Sequence, residues 1–224
     1  NGFNVYTLDL RGHGKSEGRR GYAPDYKYYL KDIYLLYQSV IKENNLPVIL
    51  YGHSFGGNLV INFLLEYPNN KIKAAVVTSP WLSLSFNPPY IKVLIGNIFR
   101  YLVPAKVVKT NLPVNGLTDN QKIINEYIND PLVHQKIGVK IYYQIKSAGI
   151  KAVKHVYKIN TPILILHGIN DPITSYKASM RFSKNSSDKI LLKLYNIPYH
   201  ELHNTSESTK IFLDIKEWLI KKIL

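Results

Sequence analysis

The chain has 224 residues, a hydrophobic content of 46%, a net charge of +14 and no cysteine. This size suits one packed domain with an insert, and the lack of cysteine excludes disulfides and thiol catalysis. No apolar stretch reaches the roughly 18 residues that a membrane-spanning helix needs. The basic residues are dispersed and accompany no nucleic-acid-binding motif, so we expect no nucleic-acid partner; attraction to anionic lipid surfaces fits the charge better.

Apolar runs of strand length alternate with amphipathic segments over most of the chain, which is typical of an α/β fold. We therefore expect a mostly parallel sheet flanked by helices. Strands are predicted at residues 3–10, 48–50, 74–78, 162–167 and 190–195. Helices are predicted from Pro24 onwards, where apolar positions recur on one face, and at residues 59–67.

The alternation stops between residues 81 and 160. Such an insert between the strands of a sheet predicts a cap or lid. Residues 1–80 and 161–224 would then form one discontinuous core domain, with residues 81–160 as the cap.

The first half of this insert, residues 90–108, mixes apolar side chains with a few basic ones. Two interpretations stay open at this point. The segment is either a helix packed on the core or a cap helix whose apolar face lines an acyl channel or touches a membrane. In the second case Ile95 and Phe99 are candidate substrate-binding residues.

Residues 52–57 read Gly-His-Ser-Phe-Gly-Gly and lie between a predicted strand and a predicted helix. A strand-to-helix turn sharp enough to expose Ser54 needs glycine on both sides, because a Cβ there would collide with the turn. Ser54 is the candidate nucleophile, and the backbone N–H of Phe55 is a candidate donor of the oxyanion hole. A glycine-rich turn that only packs is the alternative.

A nucleophilic serine needs a base and a carboxylate, which are expected in the order Ser, Asp, His. Asp171 follows the predicted strand at residues 162–167, and His200 follows the one at residues 190–195. Catalytic groups collect outside the carboxyl ends of parallel strands, so Ser54, Asp171 and His200 should meet at one edge of the sheet. His200 would then take the serine proton, and Asp171 would fix its tautomer.

His203 competes with His200 as the base, and we expect it at the start of the last helix. We favour His200 because it lies on the loop directly after a strand. The remaining histidines are expected to be structural or solvent-facing; they are His13, His53, His134, His155 and His167.

Several motifs resemble those of a known family. They are residues 9–18 (Asp-Leu-Arg-Gly-His-Gly-Lys-Ser-Glu-Gly), the Gly-His-Ser-Phe-Gly-Gly turn, Ser79-Pro80, Asp130-Pro131-Leu132, His167-Gly168 with Asp171, and Tyr199-His200 followed by Glu201-Leu202. The chain resembles α/β-hydrolases of the monoacylglycerol lipase and lysophospholipase group, also described as serine aminopeptidase-like. The motifs run from one end of the chain to the other.

One family motif is absent. In the family a His-Gly on the loop before the segment that matches residues 9–18 supplies the second oxyanion donor. By the resemblance, roughly 40 to 50 residues with the first strands, that loop and one helix would lie upstream of Asn1. We therefore expect a fragment truncated at its N-terminus, which by itself would be nearly inactive.

The resemblance implies a serine hydrolase that cleaves carboxylic esters of lipids, a monoacylglycerol or a lysophospholipid, through an acyl-enzyme. It implies no cofactor and no metal, and it fits a cytoplasmic protein with peripheral membrane contact. The same triad serves acyl transfer and the hydrolysis of other small esters or amides, which stay open. The alternative to an enzyme is an inactive fragment or a non-catalytic lipid-binding protein.

Overall fold

The computed structural model describes residues 2–43, 45–68, 71–186 and 188–223. Its centre is a parallel sheet of four strands. In chain order these are β1 (Val48–His53), β2 (Ile72–Thr78), β5 (Ile163–Gly168) and β6 (Ile190–Tyr195). The spatial order of the strands in the sheet is β1-β2-β5-β6. The chain therefore leaves the sheet after β2 and re-enters it beside β2 as β5. A short antiparallel pair, β3 (Val107–Lys109) and β4 (Lys136–Gly138), lies between them in sequence.

Seven α-helices lie within the described residues. They are α1 (Lys27–Glu43), α2 (Phe55–Glu66), α3 (Tyr90–Leu102), α4 (Gln121–Asn129), α5 (Val139–His155), α6 (Tyr176–Lys184) and α7 (Ser208–Ile223). Three single-turn 3₁₀ helices lie at Val114–Gly116, Val156–Lys158 and Leu202–Asn204. None of the described helices is long and apolar enough to cross a bilayer.

The sheet has a core on each face, because successive strand residues point to opposite sides. Ala75, Val77 and Ile165 face the larger core, which α1, α2, α5 and α6 cover. Val76 and Leu164 face the smaller core, which α7 covers with Trp218 and its neighbours. A strand buried on both faces has an almost unbroken run of apolar residues, which is the pattern of β2 and β5.

The predicted parallel sheet with flanking helices is confirmed, and β6 has the predicted bounds. The strand predicted at residues 3–10 is wrong. This segment pairs with no strand in the described part of the chain, and the Val5 side chain is 80% exposed. The apolar pattern of residues 3–10 suits a strand, but the backbone of a strand must also form hydrogen bonds with a neighbouring strand. The edge strand β1 pairs with β2 and has no strand on its other side in the described residues.

The prediction for His203 is also wrong. His203 lies in the 3₁₀ turn Leu202–Asn204, whereas α7 begins only at Ser208. Helix α1 begins at Lys27, one turn after the predicted start at Pro24.

Within residues 81–160, α5 and α3 behave differently. Helix α5 joins the larger core through Ile141, Ile145 and Ala152, and a Cβ on Gly149 would overlap the Leu82 carbonyl. Helix α3 has no buried residue, so the interpretation of residues 90–108 as a core-packing helix is wrong.

Instead α3 rests on α5 along a narrow strip. Gly96 faces the Tyr143 ring, and the Tyr143 hydroxyl donates to the Val93 carbonyl at 2.6 Å. The opposite side of α3 is an exposed apolar face, made of Tyr90, Ile91, Leu94, Ile95, Ile98, Phe99, Tyr101 and Leu102.

Candidate active site

Ser54 occupies the sharp turn between β1 and α2 with φ 52° and ψ −113°. A positive φ is unfavourable for a residue with a side chain and persists only where the surroundings enforce it. Here the Ser54 N–H donates to Thr78 O at 3.0 Å, and the Trp81 N–H donates to Ser54 O at 2.9 Å. The N–H of Ser54 is thus bonded to the last residue of β2 and its carbonyl to the segment that follows, which holds the strained turn.

The two glycines beside the serine have different roles. A Cβ on Gly52 would lie 2.5 Å from the Gly56 carbonyl oxygen, which is a severe overlap. A Cβ on Gly56 would meet no described atom within 4 Å. The prediction that the turn needs glycine on both sides is therefore correct for Gly52 and wrong for Gly56. Gly57 is the second position without room, since its Cβ would lie 2.7 Å from Val77 Cγ1.

Asp171 and His200 form a buried pair. Nδ1 of His200 lies 2.7 Å from Oδ2 of Asp171, and neither side chain is more than 5% exposed. A carboxylate can only accept, so the proton resides on Nδ1 and leaves Nε2 of His200 free to act as a base. The His200 loop is held in turn, because its N–H donates to Gly116 O at 3.0 Å.

The Asp171 carboxylate is held by backbone as well as by side chains. Its Oδ1 accepts the N–H groups of Ile173 at 2.7 Å and Thr174 at 3.0 Å. Burial alone would raise the pKa of Asp171, but the hydrogen bonds from His167 and His200 outweigh burial and hold that pKa well below its usual range. Asp171 is therefore a carboxylate at every physiological pH.

The carboxyl ends of the four parallel strands meet at one edge of the sheet. Ser54 follows β1 there, Asp171 follows β5 and His200 follows β6. The His53 ring packs against the His200 ring at 4.7 Å between centroids, so His200 borders the residue next to Ser54. Within the described residues Ser54 and His200 share no hydrogen bond; before substrate binds, such catalytic bonds are often long or open.

His203 has no hydrogen bond or ion pair with Asp171 in the described residues. Its ring packs edge-on against His53, with 5.0 Å between centroids, and its buried Nδ1 has no hydrogen-bond partner there. Burial lowers the pKa of His203, and burial with the nearby rings of His200 and His203 lowers the pKa of His53 well below its ordinary value. Of the two candidate bases, His200 is thus the one that pairs with Asp171.

Phe55 is the first residue of α2, so its N–H is one of the amides that the helix leaves unpaired. Its ring packs edge-on against Tyr29 at 5.2 Å between centroids, which fixes this residue beside the larger core. Ile95 and Phe99 lie on the exposed face of α3. In the described residues no group of three or more histidines and carboxylates is arranged to hold a metal ion.

Sequence reasoning did not identify the contacts around Asp171. His167 is fully buried, which fits the structural role expected for it, and its Nε2 lies 3.3 Å from Asp171 Oδ2. Thr174 Oγ1 lies 2.8 Å from the same oxygen, and Ser79 Oγ donates to His200 O at 2.8 Å. The motifs that contain His167 and Ser79 were signals in the sequence, whereas no motif included Thr174.

The family model described as serine aminopeptidase, S33, matches residues 1–207. The chain belongs to this family. A solved monoacylglycerol lipase from Paleococcus ferrophilus is 30% identical and has a TM-score of 0.89, covering 99% of this chain and 84% of that one. A soluble variant of monoglyceride lipase from Saccharomyces cerevisiae, at 24% identity and a TM-score of 0.84, covers 96% of this chain and 76% of its own. The predicted α/β-hydrolase fold is confirmed.

Curated relatives agree with the family. The monoacylglycerol lipase of Mycolicibacterium smegmatis is 27% identical over 99% of this chain and 80% of its own length. An uncharacterized abhydrolase domain-containing protein of Dictyostelium discoideum is 31% identical over 99% of this chain. The chain spans only 24% of the length of that amoebal relative.

Proposed function

We propose that this protein is a serine hydrolase that cleaves carboxylic esters of lipids. The observation that carries the proposal is the buried Asp171–His200 pair, which lies at the same sheet edge as the strained Ser54 turn. A serine held at positive φ is unfavourable for stability alone, and strain of this kind collects at functional sites. The names of the relatives, several of them monoacylglycerol or monoglyceride lipases, support the same class of reaction.

In the proposed mechanism, Ser54 Oγ attacks the ester carbonyl while His200 Nε2 takes its proton. The oxyanion that forms accepts a hydrogen bond from the Phe55 N–H. His200 then returns the proton to the leaving alcohol, which yields an acyl-Ser54 enzyme. A water molecule, deprotonated by His200, attacks the acyl group, so a fatty acid and the free serine are released. Asp171 stays ionised and stabilises the His200 cation in both halves.

Within this class we propose a monoacylglycerol or a lysophospholipid as the substrate. The exposed apolar face of α3, which includes Ile95 and Phe99, is suited to contact an acyl chain or the surface of a lipid aggregate. The net charge of +14 favours approach to an anionic surface. We therefore also propose peripheral contact between α3 and lipid.

The nucleophile is tested by Ser54→Ala, with Ser83→Ala as the control because Ser83 is exposed and lies outside the site. In the full-length protein, wild type and Ser83→Ala should hydrolyse mono-oleoylglycerol and react with a fluorophosphonate probe, and Ser54→Ala should do neither. Mass spectrometry of the labelled peptide should locate the probe on Ser54. Labelling that persists unchanged in Ser54→Ala, or a wild type without turnover on any ester, would contradict the proposal.

Acyl transfer and simple lipid binding are distinguished with the same variants. Turnover of mono-oleoylglycerol and of lysophosphatidylcholine is followed with and without a large excess of an alcohol acceptor. Hydrolysis predicts free fatty acid as the main product in both conditions. A new ester as the main product would favour an acyltransferase, and bound but unreacted lipid would favour a binding protein.

A further inference from the structure

His167 is a fully buried histidine that the proposed mechanism does not use. It lies near the end of β5, four residues before Asp171. Its Nε2 is 3.3 Å from Asp171 Oδ2 and 3.2 Å from Thr174 O, and its Nδ1 is 2.9 Å from Ser179 Oγ on α6. Both ring nitrogens are therefore within hydrogen-bonding distance of partners that belong to two different elements.

The groups around the two ring nitrogens determine which nitrogen of a neutral His167 carries the proton. A carboxylate and a carbonyl oxygen can only accept, so Nε2 carries the proton. It donates to Thr174 O at 3.2 Å, and Asp171 Oδ2 lies 3.3 Å from the same nitrogen. Nδ1 then accepts from the Ser179 hydroxyl. His200 has the opposite tautomer, with its proton on Nδ1. The protonated nitrogens of two histidines of opposite tautomer thus lie within 3.3 Å of the same oxygen of Asp171.

The Thr174 hydroxyl is a second donor at Asp171 Oδ2. It carries one hydrogen, and two acceptors compete for it: Asp171 Oδ2 at 2.8 Å and Ser79 O at 3.1 Å. His167 differs from Thr174 because its ring is also held on its far side, where Nδ1 lies 2.9 Å from Ser179 Oγ.

We propose that His167 is a positioning residue for the ester hydrolysis proposed above, on which this inference rests. Its Nε2–H holds Asp171 Oδ2 in line with Nδ1 of His200, and the Ser179 hydroxyl fixes the His167 ring. The effect on the reaction passes through Asp171 and His200. His167 itself touches neither Ser54 nor the substrate.

The test compares His167→Leu, which removes the donor, with His167→Gln, whose side-chain amide can donate from nearly the same place. Around metal sites, groups that orient a ligand typically cost about 10- to 100-fold when they are removed, and we take the same scale for Asp171. We expect His167→Leu to lower kcat by about tenfold or more with KM within about twofold, and His167→Gln to recover most of the loss. The low-field proton resonance of the His200–Asp171 hydrogen bond should shift in His167→Leu and return towards its wild-type position in His167→Gln.

Melting temperatures separate positioning from loss of structure. If His167→Leu does not fold, Ser179→Ala replaces it, since it keeps the imidazole and removes only its tether, and it should lower kcat in the same direction. Wild-type kcat and an unshifted resonance in the folded variants would overturn the inference, as would an equal loss of kcat in His167→Leu and His167→Gln. A full-length wild type without turnover or Ser54 labelling would instead overturn the proposed function.

Discussion

The Ser79 hydroxyl donates a 2.8 Å hydrogen bond to the carbonyl oxygen of His200, across 121 residues of sequence. The preceding residue, Thr78, accepts the N–H of Ser54 at 3.0 Å. Thr78, the last residue of β2, and Ser79, which follows it, therefore contact the candidate nucleophile on one side and the candidate base on the other. Ser79 is fully buried and has φ 44°, so its side chain has a fixed direction.

Ser79→Ala should weaken this link. The His200 carbonyl would lose a buried donor, which typically costs about 1–3 kcal/mol of stability. Because the loop of His200 gains freedom, we expect kcat to fall more than KM rises. Steady-state kinetics and urea denaturation measure both effects, with the exposed Ser83→Ala as the control. Unchanged kinetics in a destabilised Ser79→Ala would assign the bond to stability alone.

His200→Ala and His203→Ala test the choice of base. Loss of His200 should cost on the order of 10³-fold or more in kcat, because Ser54 loses its proton acceptor. His203 lies against His53 and away from Asp171, so His203→Ala should stay within about tenfold of wild type. Esterase kinetics on a short p-nitrophenyl ester give the comparison. The reverse order of effects would identify His203 as the base.

Asp171 should make stability depend on pH in acid. Its pKa lies well below its usual range in the folded protein, so the unfolded chain takes up the proton first as the pH falls. This contribution is complete above about pH 4, the ordinary value for aspartate, and is lost as the pH falls further. Urea denaturation between pH 6 and pH 3 should therefore show a steeper loss for wild type than for Asp171→Asn. Parallel curves would mean that Asp171 is not ionised and paired as described.

Gly52 and Gly56, on either side of Ser54, allow a direct comparison of alanine substitutions with and without space for the new methyl group. In Gly52→Ala the new methyl group would lie 2.5 Å from a backbone oxygen, and overpacking of this kind costs about 1–3 kcal/mol. In Gly56→Ala it would meet no described atom within 4 Å, and alanine is favoured over glycine in a helix by about 1 kcal/mol. We expect Gly52→Ala to lower the free energy of unfolding and Gly56→Ala to leave it equal or higher. Similar losses in both would contradict the difference in packing.

The sheet and its edge could be predicted from sequence because they depend on local patterns. Buried parallel strands are unbroken apolar runs, and polar residues directly after them must lie at the carboxyl edge. This reasoning predicted the positions of Asp171 and His200 without any knowledge of contacts. It failed at residues 3–10, because a strand depends on a partner that the apolar pattern of one segment does not reveal.

The environment of Asp171 could not be predicted in the same way. The contacts from His167, Ser179 and Thr174 depend on how α6 and the loop after β5 pack, and packing is not visible in the order of residues. For the same reason the exposed face of α3 could not be distinguished from a buried one. Amphipathic character indicates that one face is apolar, but what lies against that face is decided by the tertiary structure.

The pairing of β2 with β5 has a consequence for how such a protein can diversify. Ala75 and Ile163 are partners in the sheet although 87 residues separate them, so the register of the sheet is independent of the length of the chain between them. That intervening chain is anchored at residues 82–85, which pair with the loop after Asp171, at residues 116–119, which bond the segment after His200, and along α5. Insertions, deletions and exchanges at residues 86–103, which include α3, can therefore accumulate while Ser54, Asp171 and His200 keep their places. Evolution of substrate choice is thereby separated from preservation of the chemistry.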